Sequence, residues 1–357
     1  MEIMDIFDDD AFSMVTMTAA INKTPYMPNF LGSLGIFTPT PIRTIDAAMV
    51  INDDGILTVV QTTPRGAPPI EQKVTAQNIR SFRTPRIAVG DTIYASELQG
   101  ILARSALIGP DFTTMMADMQ SEMAWRLDGP VGLQSKQEAT KERMRLGAIS
   151  GIVLDADGTV LYDWPTLFGQ TLPTEIGFNL QAVAGTGAGQ VPPGTLLTTI
   201  SQLKRSILRA ARAGNLVSAN VIGLAGDEFY DALRQHPDVS RTYLNWMDAV
   251  NLRESQPFEM FPFGGINFYN YRGSDDNETI AIAVDKVKFI VTGVPGLFQE
   301  VLAPAETFDY INTPGLPIYT MVIPDRDRNQ FVRLETYSYP MYVAGRPEML
   351  FSGRMEE

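Results

Sequence analysis

Apolar positions change period several times along the chain, and each change predicts a different element. Ile42 to Ile51 and Ile56 to Thr62 read as strands joined by the turn-forming run Asn52-Asp53-Asp54-Gly55, which predicts a β-hairpin. Phe112, Met115, Met116, Met119, Met123 and Leu127 fall at helical spacing, and methionine in such a stripe suits adaptable packing. After Gly129-Pro130, Ser135 to Ile149 predicts a second helix carrying Lys136, Glu138, Lys141, Glu142, Arg143 and Arg145. Only Ala139, Leu146 and Ile149 give it an apolar side, so it reads as a long surface rib. On it Glu138 attracts Lys141 and repels Glu142, so pairing alone does not account for the helix.

Gly151 to Asp163 predicts a compact hairpin around Asp155-Ala156-Asp157-Gly158. Gly185 to Gly194 reads as a turn-rich junction, without the lysine and following serine or threonine of a phosphate loop. From Thr199 to Ala213, Ile200, Leu203, Ile207 and Ala210 share one side of an amphipathic helix that Gly214 can stop. Leu216 to Leu224 follows as a strand and Asp227 to Gln235 as a helix. Phe258 to Phe263, Gly265 to Arg272, Thr279 to Ala283 and Val287 to Val291 read as further strands, which makes an α/β body of about 195–300. The tail strands, Ile318 to Ile323, Phe331 to Ser338 and Met341 to Val343, are expected to return to the sheet begun near residue 150.

Residues 1–41 read as an arm. Asp8 to Asp10 can start a short helix through Ile21, and Pro25, Pro28, Pro39 and Pro41 then enforce extended backbone. Phe30, Leu31, Leu34, Ile36 and Phe37 need a surface to cover them. Lys73 to Arg86 is a second extended stretch, whose Arg80, Arg83 and Arg86 are expected to meet an acidic neighbouring surface. The formal charge of −13 over 357 residues disfavours a chain that wraps nucleic acid by neutralising phosphates. The absence of cysteine excludes disulfides and thiol chemistry. No apolar run is long enough for a membrane helix, and the acidic start argues against a secretory signal.

Candidate chemistry is sparse. His236 is the only histidine, too few for a conventional zinc site, and no Gly-x-Ser-x-Gly elbow accompanies it. Between Gln235 and Pro237 it is expected to be exposed or to end a helix. Asp155 and Asp157 suit a turn, and Pro324 to Asn329, with Asp325 and Asp327, suits a hairpin loop. No catalytic, cofactor-binding or metal residue is assigned, and no enzyme activity is expected. A paired-carboxylate site needs no histidine and stays open as an alternative.

Across nearly its whole length the chain resembles the lambda-like family of phage major capsid proteins. The resemblance rests on order and spacing of Phe30-Leu31-Gly32-Ser33, Arg80-Ser81-Phe82-Arg83-Thr84-Pro85-Arg86, Asp155-Ala156-Asp157-Gly158, and Tyr337-Ser338-Tyr339-Pro340-Met341 followed by Arg346-Pro347. It implies an α+β chain with the HK97-type capsid fold shared by tailed-phage shells. Its parts would be an N-terminal arm (1–41), an extended β-hairpin loop (42–95) and a peripheral domain with the spine helix (96–194). A central axial domain (195–300) and return strands completing the peripheral domain (301–357) would follow.

The resemblance implies hexamers and pentamers that close an icosahedral head around double-stranded DNA, assembled in the host cytoplasm as a late protein. Expected partners are further copies, a separate scaffolding protein, a portal and a decoration protein, with only non-specific proximity to packaged DNA. It implies neither cofactor nor membrane. Phe30, Leu31, Leu34, Phe37, Asp54, Gly55, Arg80, Arg83 and Arg86 are the expected contacts between subunits. A tail tube or sheath protein and a carboxylate-dependent hydrolase are the alternatives.

Overall fold

The computed structural model describes residues 30–51, 78–97, 112–129, 132–181, 192–211, 220–239, 260–271, 273, 280–328 and 330–356. They are α+β and divide into two compact units. One draws on Met1–Ala47, Ser81–Arg145 and Gln299–Val343, the other on Ala48–Arg80, Leu146–Phe298 and Ala344–Glu357. The predicted helix through Ile21, the Asn52–Gly55 turn, the strand Ile56–Thr62 and most of the Gly185–Gly194 junction lie outside the described residues.

The first unit is built on two three-stranded sheets. In one, β14 (Phe331–Ser338) lies between β13 (Tyr319–Pro324) and β4 (Ile87–Tyr94), antiparallel to both. Against it pack helix α2 (Phe112–Asp128) and the start of α3 (Leu133–Ser150). Met123, Leu127, Leu133, Ile93, Ile318, Val332 and Leu334 form their shared core. The other sheet has the order β1 (Thr38–Pro41), β12 (Phe298–Leu302), β15 (Pro340–Ala344). β1 runs parallel to β12 on its edge, which tolerates Pro39 and Pro41 because a proline has no N–H to give an inner ladder.

The second unit centres on a six-stranded mixed sheet. Its order is β7 (Ile176–Gly177), β16 (Phe351–Arg354), β11 (Lys286–Thr292), β8 (Asn220–Ala225), β10 (Ile266–Asn270), β9 (Phe261–Phe263). Phe178, Phe229, Phe268 and Phe289 interlock in its core, with ring centroids 5.4–6.3 Å apart. Two strand glycines admit these rings. A Cβ on Gly223 would meet the Phe268 ring at 2.7 Å, and one on Gly353 would meet Phe178 at 2.5 Å. Helix α5 (Thr195–Ala211) buries Leu196, Ile200, Leu203, Ile207 and Ala211, the stripe its apolar period predicts.

The compact hairpin forms as β5 (Ile152–Leu154) and β6 (Val160–Asp163), with Gly158 at φ 86°. Asp163 then caps the short helix α4 (Trp164–Phe168) by accepting from the Thr166 N–H at 3.3 Å. Helix α6 (Asp227–Gln235) matches its predicted bounds.

Two expectations need correction. The tail strands do not complete the sheet begun near residue 150: among the described residues β5 and β6 pair only with each other. Instead β13 and β14 join β4, β15 joins β12, and β16 joins β11. Ile280 to Ala283 form no strand. Among the described residues strand β2 (Asp46–Ile51) pairs with β3 (Asn78–Arg83), drawn from the basic stretch, and the expected hairpin partner Ile56–Thr62 lies outside them. Strand pairing is decided by partners distant in sequence, and local alternation does not name them.

Candidate assembly surfaces

The arm is where surface and core meet. Helix α1 (Phe30–Ser33) is a single turn whose Leu31 N–H donates to Glu142 Oε1 at 2.8 Å. The Leu31 side chain is fully buried, and Phe37 lies edge-on to Tyr342 at 5.3 Å. Beyond β1, the Ile42 N–H donates to the Leu302 carbonyl at 2.8 Å. Leu31 and Phe37 are therefore committed to their own chain, while Phe30 and Leu34 remain half-buried. The sequence shows that these apolar side chains need cover but not whose surface provides it.

The carboxylate that receives Leu31 belongs to a buried charged network, and the surface-rib reading of α3 is wrong. Gln134, Gln137, Glu138, Lys141, Glu142 and Arg145 are all buried, Lys141 with 1% of its surface exposed. Lys141 Nζ lies 2.7 Å from Glu138 Oε1 and donates to the Pro317 carbonyl at 3.0 Å. Arg145 Nη1 reaches Glu138 at 3.4 Å and Glu142 at 3.5 Å, so the repulsion between those two carboxylates is bridged by one guanidinium. Its Nη2 faces Glu300 of β12 at 3.8 Å, and its plane lies over the Tyr342 ring at 5.2 Å. Tyr342 Oη completes the set by donating to Glu300 at 2.8 Å.

Electrostatics follow from that packing. Burial lowers the Lys141 pKa, with Glu138 opposing the shift. Burial also works against the charge on Arg145, but Tyr342, Glu138, Glu300 and Glu142 outweigh it and raise its pKa. The Tyr342 phenol is pushed well above its ordinary range by burial, reinforced by Glu300. Three carboxylates thus face two cations, and the arm's Leu31 N–H supplies a further donor.

The three arginines of the basic stretch have different surroundings. Arg80 donates to the Leu167 carbonyl, and Arg83 is exposed. Arg86 lies over the Tyr337 ring at 4.8 Å and 3.8 Å from Glu306, with 51% of its side chain exposed. Asp54 and Gly55 lie outside the described residues.

The remaining candidates have structural roles. His236 does end α6, yet it is buried and not exposed: its Nδ1 accepts from the Asp238 N–H at 3.2 Å. Burial lowers its pKa, and Asp238 partly opposes that. The Asp325 carboxylate accepts from the N–H groups of Asp327, Arg328 and Gln330, closing the β13–β14 loop as predicted. Among the described residues no cluster of His, Cys, Asp or Glu is arranged to hold a metal, and no helix is long and apolar enough to cross a membrane.

One exposed feature escaped the sequence reading. The 3₁₀ turn Phe308–Tyr310 leaves Phe308 93% exposed and Ile311 66% exposed. Two apolar residues beside Asp309 and Asn312 carry no periodic signal, so the stretch reads as ordinary loop.

Comparison with known proteins places the chain. Its residues 13–355 match the family model for phage major capsid protein E. The major capsid protein of Salmonella phage Felix O1 (isolate Felix O1-VT1) is 22% identical over 380 residues, covering 97% of this chain and 96% of that one. That of Pseudomonas phage KPP10 is 24% identical over 297 residues, 78% of each chain. Among solved structures, the capsid of a native GTA particle, computed with C5 symmetry, is similar at 12% identity and a TM-score of 0.47, over 93% of this chain and 92% of that one. The chain belongs to the phage major capsid protein E family.

Proposed function

We propose that this phage major capsid protein assembles as hexamers and pentamers into the icosahedral head that encloses a double-stranded DNA genome. The observation that carries the reading is the family match, which runs through nearly the whole chain and not through one module. In finer detail the proposal takes the lambda-like branch and the HK97-type fold. Arm, extended loop, peripheral domain and axial domain then follow the order expected from sequence, with β4 belonging to the β13–β14 sheet and β16 to the sheet of the axial body. A separate scaffolding protein, a portal and a decoration protein are the proposed partners, and assembly takes place in the host cytoplasm. Phe30, Leu34, Arg80, Arg83 and Arg86, which keep exposed surface, are proposed to contribute to contacts between copies, together with Asp54 and Gly55.

The chemistry of the surface supports such a role. A formal charge of −13 suits a chain that lies near packaged DNA without gripping it. Sedimentation velocity of the purified chain over a concentration series tests the proposal. The expected result is a cooperative shift from slow subunits to fast, uniform particles. A chain that stays monomeric under all assembly conditions, with or without its scaffold, would contradict it.

A further inference from the structure

We infer that the turn after α6 is an acid-sensitive switch, in which His236 decides whether Asp238 holds the start of α5. The inference goes beyond the capsid reading and does not depend on it. The His236 ring is 5% exposed, and its Nδ1 accepts from the Asp238 N–H at 3.2 Å. A ring nitrogen that accepts carries no proton, so the neutral imidazole keeps its proton on Nε2. The Val239 N–H closes the same turn by donating to the His236 carbonyl at 3.0 Å. Asp238, 6% exposed, reaches a second element, where its Oδ2 accepts from the Gly194 N–H at 2.9 Å. Gly194 starts α5: its carbonyl accepts from the Thr198 N–H at 3.1 Å, and its φ of 87° is a left-handed conformation that suits glycine. Having no side chain, it cannot cap the helix itself. The Asp238 carboxylate instead places an anion at the end where the helix dipole favours one.

Protonation reverses the first of these bonds. An imidazolium carries N–H on both nitrogens, so Nδ1 turns from acceptor into donor and meets the Asp238 N–H as a second donor. Among the described residues Asp238 is the charged group that acts on the ring. Its carboxylate then has two claimants, the Gly194 N–H while His236 is neutral and the Nδ1–H once it is charged. The imidazolium brings a full charge to its hydrogen bond and draws the carboxylate from the amide. Burial disfavours that charged ring and lowers the His236 pKa below 6.5, with Asp238 opposing the shift. The unfolded chain therefore takes up the proton first as pH falls. The turn's contribution to stability is complete well above pH 6.5 and is lost as pH drops below that value.

Hydrogen exchange of dissociated subunits, read by mass spectrometry and corrected for the intrinsic effect of pH on exchange, tests the switch. Between about pH 7.5 and pH 5.5 ordinary carboxylates stay charged, and His236 is the chain's only histidine, so it is the side chain that titrates. Peptides spanning Gly194 and the first turn of α5 are expected to lose roughly ten-fold in protection over that range, the factor that corresponds to one hydrogen bond of ordinary net strength. Peptides from β11 should keep theirs. His236→Asn retains an acceptor for the Asp238 N–H but has no proton to gain, and its subunits are expected to show no such loss. The ring C–H signal of His236, followed by NMR, should titrate with the same midpoint as the exchange. Equal protection of the α5 start at both ends of the range in the wild type would overturn the switch, as would an equal loss in His236→Asn. Should that variant be unstable, the two wild-type midpoints decide, and a mismatch between them overturns the switch. Neither measurement involves assembly, so the capsid reading stands or falls separately.

Discussion

Helices α3 and α5 are 18 and 17 residues long and reach the interior by opposite means. α5 inserts Leu196, Ile200, Leu203 and Ile207, a stripe that needs nothing beyond an apolar partner. α3 inserts Glu138, Lys141, Glu142 and Arg145, which are tolerable only because each charge meets another at short range and because Glu300, Tyr342 and the Leu31 N–H arrive from elsewhere in the chain. An apolar stripe tolerates small shifts of its partner. A charge network does not, since a displaced member leaves a buried charge unpaired. The contrast teaches that α3 is the more specific element, fixing where the arm and β12 must lie.

The largest expected effect separates the helices most sharply. Arg145→Ala removes the bridge between Glu138, Glu142 and Glu300, and should cost about 3–5 kcal/mol in denaturant unfolding of dissociated subunits. Replacing Glu138, Glu142 and Glu300 by Gln and Lys141 and Arg145 by Met together should cost less than Arg145→Ala alone, because no charge is left without a partner. A loss equal to the sum of the single losses would show that the residues do not act as a network. On α5, Leu203→Ala should cost roughly 2–5 kcal/mol through a cavity, and its cost should not depend on the state of α3.

The two helices also differ in what could be read from sequence. α5 and its neighbour α6 are legible because their cores are periodic and apolar, and α6 matches its predicted ends, Asp227 and Gln235. α3 is legible as a helix but not in its burial, because the partners that neutralise it lie far away at Glu300 and Tyr342. Strand β14 alternates cleanly and is found at Phe331–Ser338 as predicted. Strand β16, Phe-Ser-Gly-Arg, gives no strand signal of its own and exists because β11 and β7 flank it. The arm's residues announce a need for cover, and the physical choice between own chain and neighbour is made by the β12 edge and Glu142.

Alkaline pH sharpens the contrast by a smaller amount. The raised Tyr342 pKa means its contribution is complete below about pH 10 and lost as pH climbs above that value, because the unfolded phenol ionises first. Lys141 has a depressed pKa, so its contribution instead grows as pH rises through the folded value toward 10.5. Tyr342→Phe should flatten the stability loss above about pH 10, whereas Leu203→Ala should leave the slope as in the wild type. Identical slopes in all three proteins, measured by denaturant midpoints, would remove Tyr342 from the network.

The smallest effect belongs to the exposed arginine. Arg86→Gln loses a half-exposed ion pair and a ring contact, worth about 0.5–1 kcal/mol to the subunit. If Arg86 also touches a neighbouring copy, particle yield should fall more than that figure accounts for, and equal losses in subunit and particle would confine it to its own chain.

Electron cryomicroscopy of particles formed by the purified chain, with its scaffold if assembly requires one, decides whether this chain closes a shell. Closed shells built from six-fold and five-fold clusters of this single chain are expected. Tubes, or soluble subunits that never close, would contradict the capsid reading.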